Sequence, residues 1–106
     1  MAQVSEETIF TLILHSGNGR SSAFEAIAAA KEGDSVLAKE KLQEAQDALN
    51  EAHKSQTGLI QNEAQGEPAD ATLLLIHAQD HLMTAMVVLD LAKEFVELYE
   101  KLGKEG

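Results

Sequence analysis

The sequence predicts an all-α protein, a three-helix antiparallel up-and-down bundle in a single domain spanning residues 1–106. Three observations predict it. Ala, Leu, Glu, Lys and Gln dominate a chain with one proline and 4% aromatics, a composition that favours helix over sheet. Apolar residues recur at steps of three and four through three long stretches, the spacing of a helix face. Two short breaks separate those stretches, Gly33-Asp34 and Gln65-Gly66-Glu67-Pro68-Ala69. A connection as short as the first makes its flanking helices antiparallel neighbours.

The first helix is expected over about 5–32. Ser5 supplies an N-cap, followed by Glu6 and Glu7 at the positive end of the helix dipole. Ile9, Leu12 and Ile13, then Phe24, Ile27 and Ala28, mark its apolar face. Ser16-Gly17-Asn18-Gly19 interrupts that face and predicts a kink or a close helix contact, since each glycine costs about 1 kcal/mol against alanine. Gly33 closes this helix and Asp34 caps the second, expected over 35–64. Leu42, Ala45, Leu49, Ala52, Gln56 and Leu59 form its inner seam, of coiled-coil spacing.

The third helix, expected over 71–102 with Asp70 as its cap, carries two seams. Leu74, Ala78, His81, Ala85, Val88, Ala92, Phe95, Tyr99 and Leu102 form one. Leu73, His77, Asp80, Thr84, Val87, Leu91 and Leu98 trace the other, with Ile76, Met83 and Met86 near both. A helix apolar nearly all round must be covered nearly all round, and two partner helices cover only part of it. Self-association with third helices meeting at a common axis is therefore expected; burial in a larger complex is the alternative. The tail, Gly103 to Gly106, reads as polar and frayed.

A formal net charge of −10 argues against nucleic-acid binding and against adsorption to anionic membranes, and favours basic protein partners. The absence of cysteine removes disulfides, thiolate nucleophiles and Cys-type zinc sites, and fits a reducing compartment. MAQVSEETIF lacks the basic start of a signal peptide. The longest apolar run is interrupted by His77, Gln79, Asp80 and His81, so a soluble cytoplasmic protein is expected.

Polar groups within so apolar a helix cost stability unless paired or put to use. His77, Asp80 and His81 share a helix face at steps of three and four. A neutral imidazole at His77 can attack electrophilic phosphorus; the competing reading is a core histidine with a local partner. The His77–His81 spacing also suits metal ligation, but Ala78 replaces the glutamate a zinc protease needs, and only His15 and His53 remain as further imidazoles. Asp80 either pairs with His81 or Arg20, or shares a Mg-like divalent metal with copies of itself on an axis. His53 reads as structural, Met83 and Met86 as core filler. The turn GNGR lacks the lysine and strand context of a nucleotide site, so direct use of ATP is not expected.

HAQDHLM at His77–Met83 resembles the signature of the bacterial phosphotransferase system enzyme IIA component, lactose/cellobiose type. EAH-x-x-QT at Glu51–Thr57, HSGNGRS at His15–Ser21, EGD at Glu32–Asp34 and ELYEKL at Glu97–Leu102 follow in the family's order. The resemblance spans essentially the whole chain. It implies a homotrimer with a nine-helix core, and phosphate accepted from the carrier protein HPr on Nε2 of His77. It further implies transfer to a cysteine of the IIB component, which serves the membrane IIC component, and three copies of Asp80 around one metal ion. Gln79 and His81 match motif positions and are given supporting roles. Alanine after His77 resembles the cellobiose/chitobiose branch more than the lactose branch. Gly19 departs from a frequent alanine and is expected to loosen the first helix. A non-catalytic trimeric interaction or regulatory protein is the alternative.

Overall fold

A computed structural model describes residues 4–105; the first three residues of the N-terminal reading and Gly106 of the tail lie outside it. Three helices form a rod of 58 × 21 × 19 Å: α1 (Glu6–Lys31), α2 (Ser35–Ala64) and α3 (Leu73–Glu105). Cross-helix contacts give the directions. Gly19 meets Leu49 and Glu25 meets Lys41 between α1 and α2, while Gln56 meets Gln79, Gln46 meets Lys93 and Lys39 meets Glu100 between α2 and α3. Residue numbers rise on one side as they fall on the other, which is the up-and-down bundle the sequence predicts.

Local chemistry accounts for most boundaries. The Ser5 hydroxyl accepts from the Thr8 N–H at 3.2 Å, and the Asp34 carboxylate accepts from the Leu37 N–H at 3.0 Å. Gly33 turns the chain at φ +82°, a left-handed conformation that side chains resist. The third cap is corrected. Thr72, not Asp70, accepts from the Leu75 N–H, at 3.1 Å. The Asp70 carbonyl instead accepts from the Thr72 N–H at 3.0 Å, closing a turn that delays the helix to Leu73. At the other end α3 continues through Gly103 to Glu105, where fraying was expected.

The core is narrower than the sequence suggests because alanine dominates it. In α1 the inward residues after the glycines are Ala23, Ala26, Ala29 and Ala30, whereas Phe24 and Ala28 are exposed, contrary to expectation. Small side chains let the helices approach closely, and a phenylalanine on that line would hold them apart. The α2 seam is as expected, with Ala45, Leu49, Ala52 and Gln56 buried and Leu42 and Leu59 partly buried. In α3 the buried seam is Leu75, Ala78, Leu82, Ala85, Leu89, Ala92 and Val96. The expected register kept the right alanines but paired them with Leu74, His81, Val88 and Phe95, one position too early. Apolar residues flank those alanines on both sides, so periodicity alone does not choose between the two lines.

The second α3 seam is uncovered. Leu73 is 82% exposed, Val87 58% and Leu91 53%, and Leu98 continues the line. One 18-residue stretch within Leu73–Lys104 reaches a mean hydropathy of 1.2, enough by length and composition to cross a membrane, a test that the core helix of a bundle also passes. One side of it packs against α1 and α2 as bundle core.

Gly17 and Gly19 do not kink α1, which runs unbroken through both. A Cβ at Gly19 would lie 2.5 Å from Leu49 Cδ2 and 3.3 Å from the Ala45 carbonyl oxygen, whereas one at Gly17 meets nothing within 4 Å. Gly19 therefore tightens the α1–α2 contact; the expected loosening is corrected. Two substitutions separate these roles. Gly17→Ala is expected to raise stability by about 0.5–1 kcal/mol through helix propensity. Gly19→Ala is expected to lower it by about 1 kcal/mol, because displacing the buried Leu49 outweighs that gain. Chemical denaturation of both variants, with Gly19→Ala repeated in a Leu49→Ala background where the loss disappears, checks this.

Candidate functional site

The site lies in the first three turns of α3, downstream of the Thr72 cap. At about 100° per residue, Asp80 sits at the centre of the uncovered seam, with His77 and His81 on one flank and Gln79 and Met83 on the other. The histidines and Gln79 thus border an apolar stripe and Asp80 interrupts it, none of them entering the bundle core.

His77 is exposed and His81 half-buried. Their Nε2 atoms are 3.1 Å apart, with ring centroids separated by 4.6 Å and planes at 84°. A bond between two Nε2 atoms needs one donor and one lone pair, so the two rings take opposite tautomers. With His81 donating, His77 keeps its proton on Nδ1 and a lone pair on Nε2. Thr84, one turn on, donates from Oγ1 to the carbonyls of Asp80 at 2.9 Å and His81 at 3.2 Å. That hydroxyl is occupied by backbone and fixes the local helix geometry rather than facing a ligand.

Asp80 is exposed, and among the described residues it forms no ion pair with His81 or Arg20. The Arg20 guanidinium lies over the Phe24 ring at 5.9 Å. Among the described residues no group of three His, Asp or Glu side chains is gathered, so His15 and His53 do not complete a ligand set with His77 and His81. The donor available at Asp80 is a single carboxylate in an apolar stripe. It suits a hard divalent cation only if other copies bring their own carboxylates to the same point.

The Gln79 flank carries a contact that sequence reasoning missed. Gln56 donates from Nε2 to Gln79 Oε1 at 2.7 Å and also approaches Met83 Sδ at 3.4 Å. Met83 is 49% exposed, so its expected role as core filler is corrected, whereas Met86 does pack against the core. The signal for Gln56 was present: it is the one amide in an otherwise apolar α2 seam.

Comparison with known proteins places the chain in a family. The model of the family described as "PTS system, Lactose/Cellobiose specific IIA subunit" matches residues 7–100. The lichenan-specific phosphotransferase enzyme IIA component of Bacillus subtilis is 59% identical over 99% of this chain and 96% of its own. The crystal structure of the PTS cellobiose-specific enzyme IIA from Bacillus anthracis superposes with a TM-score of 0.93 at 52% identity, covering 100% of this chain and 97% of that one. The IIA(Chitobiose) chain from the solution structures of its complex with HPr, from Escherichia coli, gives 0.81 at 44% identity, covering 96% and 99%. This chain therefore belongs to the lactose/cellobiose-specific enzyme IIA family of the phosphotransferase system, phosphotransferase components that work through a phosphohistidine intermediate.

Proposed function

We propose that His77 is the phosphorylated residue, accepting phosphate from HPr and passing it to the IIB component during uptake of a cellobiose- or chitobiose-type sugar. The observation that carries this is the His77–His81 pair. The exposed imidazole of His77 has a partner at its Nε2, and with His81 donating, that nitrogen carries the lone pair and not the proton. In the reaction, Nε2 attacks phosphorus as the P–N bond to the donor imidazole breaks, and the electron pair of that bond returns to the donor ring. The proton lost from Nδ1 of His77 balances the one the donor ring gains. Transfer onward repeats the displacement with the IIB cysteine as nucleophile. Attack requires the His77–His81 bond to open, and it frees the His81 N–H to donate to a phosphoryl oxygen. The relatives described above are named for lichenan, cellobiose and chitobiose, which supports the choice of sugar.

The working form in this reading is a cytoplasmic homotrimer with a nine-helix core. Leu73, Val87, Leu91 and Leu98 form an uncovered apolar line too continuous for an isolated chain, and a parallel threefold contact covers it. The same contact brings three Asp80 carboxylates together, where a divalent metal ion would neutralise them and brace the assembly. No transfer step uses that ion. The acidic surface suits a basic face on the donor.

Three measurements test these statements. Incubation with enzyme I, HPr and phosphoenolpyruvate is expected to place acid-labile phosphate on His77 and none on His77→Gln; undiminished labelling of that variant would refute the assignment. Long-range 1H–15N correlation spectra of the unphosphorylated protein are expected to show His77 protonated at Nδ1 and His81 at Nε2, and the reverse pair would contradict the nucleophile's tautomer. Sedimentation is expected to give a trimer. In the same runs Asp80→Leu trimers are expected to resist chelator, while wild-type trimers lose stability when metal is withdrawn.

A further inference from the structure

Gln56 and Ser16 are the two buried polar side chains among the described residues. The Ser16 hydroxyl has no hydrogen-bond partner, but Gln56, 9% exposed, is fully engaged at its nitrogen. Its neighbours along the α2 seam are Leu49, Ala52 and Leu59, and a methionine of similar volume would fill the same space. An amide is retained where packing asks for none. Met83 Sδ can only accept, which identifies the Gln56 atom beside it as the nitrogen and the Gln79 atom that nitrogen meets as the oxygen. The Gln79 oxygen is thereby occupied, and its N–H group is the end left for another partner.

We propose that Gln56 is a positioning residue for phosphoryl transfer, holding the Gln79 carboxamide so that it presents an N–H donor and not a carbonyl. Unrestrained, the Gln79 amide would offer either end, and its oxygen would repel a phosphoryl group. Gln79 and His77 lie on opposite flanks of the uncovered α3 stripe, about 160° apart around the helix, so they do not meet within one chain. In a parallel threefold contact each flank faces the other flank of the next copy, so the oriented N–H is delivered to the His77 of a neighbour. This inference rests on the assembly and the phosphohistidine proposed above. Gln56 itself touches no reacting atom.

The test is Gln56→Met in the full-length chain, measured by rapid-quench transfer from phospho-HPr and onward to IIB, with sedimentation and thermal melting in parallel. The melting temperature and mass are expected to be unchanged while transfer slows about tenfold, as for a misoriented donor. Gln79→Leu is expected to slow transfer comparably, and adding Gln56→Met to it is expected to change nothing further. Gln56→Glu, which keeps the length but presents an acceptor, is expected to be slow as well and serves if methionine unsettles the seam. Wild-type rates in both Gln56 variants would overturn the proposal. So would slowing that multiplies independently with Gln79→Leu, or slowing that follows a lost trimer, which would make Gln56 a register device instead. A wild-type chain unlabelled at His77, or monomeric, would remove the reading beneath the proposal and the proposal with it.

Discussion

The structure depends on α3 having two apolar faces and only two intramolecular neighbours. Leu75, Leu82, Leu89 and the alanines between them fill the bundle core, and that alone would make α3 an ordinary amphipathic helix. The line through Leu73, Val87, Leu91 and Leu98 asks for a second cover that α1 and α2 do not provide. The polar residues of α3 singled out above lie on or beside that second line. His77 and His81 occupy one edge, Gln79 and Met83 the other, and Asp80 the middle. In the trimer proposed above, a site placed there would be partly shielded from water, which strengthens hydrogen bonds to a phosphoryl group, while staying open to a protein partner.

Charge gives the site its second constraint. A phosphoryl group adds negative charge to a chain whose formal net charge is already −10. The sequence holds one arginine, Arg20, and its guanidinium lies over the Phe24 ring. On the reading proposed above, stabilisation comes from donors such as the His81 N–H and an amide, which hold phosphate without trapping it. That suits a carrier whose phosphate must leave as readily as it arrives. The same reasoning explains why the orientation of one carboxamide matters: in a site with few charges, a dipole turned the wrong way is a large fraction of the field.

Much of this was legible in the sequence, and the failures have physical causes. Helix bounds followed from Ser5, Asp34 and Gly33 because capping is local. The Asp70 cap failed because two residues suited to capping, Asp70 and Thr72, stand two apart and the turn between them decides. The α3 register slipped by one because Leu74, Val88 and Phe95 flank the core alanines on one side as Leu75, Leu82, Leu89 and Val96 do on the other, so a one-residue rotation leaves the pattern nearly as apolar. Phe24 was taken inward on its hydrophobicity, whereas alanine-lined helices sit too close to admit it. His77 and Asp80 stood out because polar residues in a leucine-rich helix are conspicuous. Gln56 did not, although it breaks its seam as clearly, because its purpose appears only when Gln79 is seen across from it.

Which atom holds phosphorus is the central question for this site. Phosphorus-coupled nitrogen NMR of the protein carrying 15N-labelled histidine, phosphorylated through enzyme I and HPr, reads that atom directly. The expected result is one-bond coupling to Nε2 of His77, with the His81 Nε2 released from its present bond. Coupling to Nδ1 of His77, or to either nitrogen of His81, would contradict it.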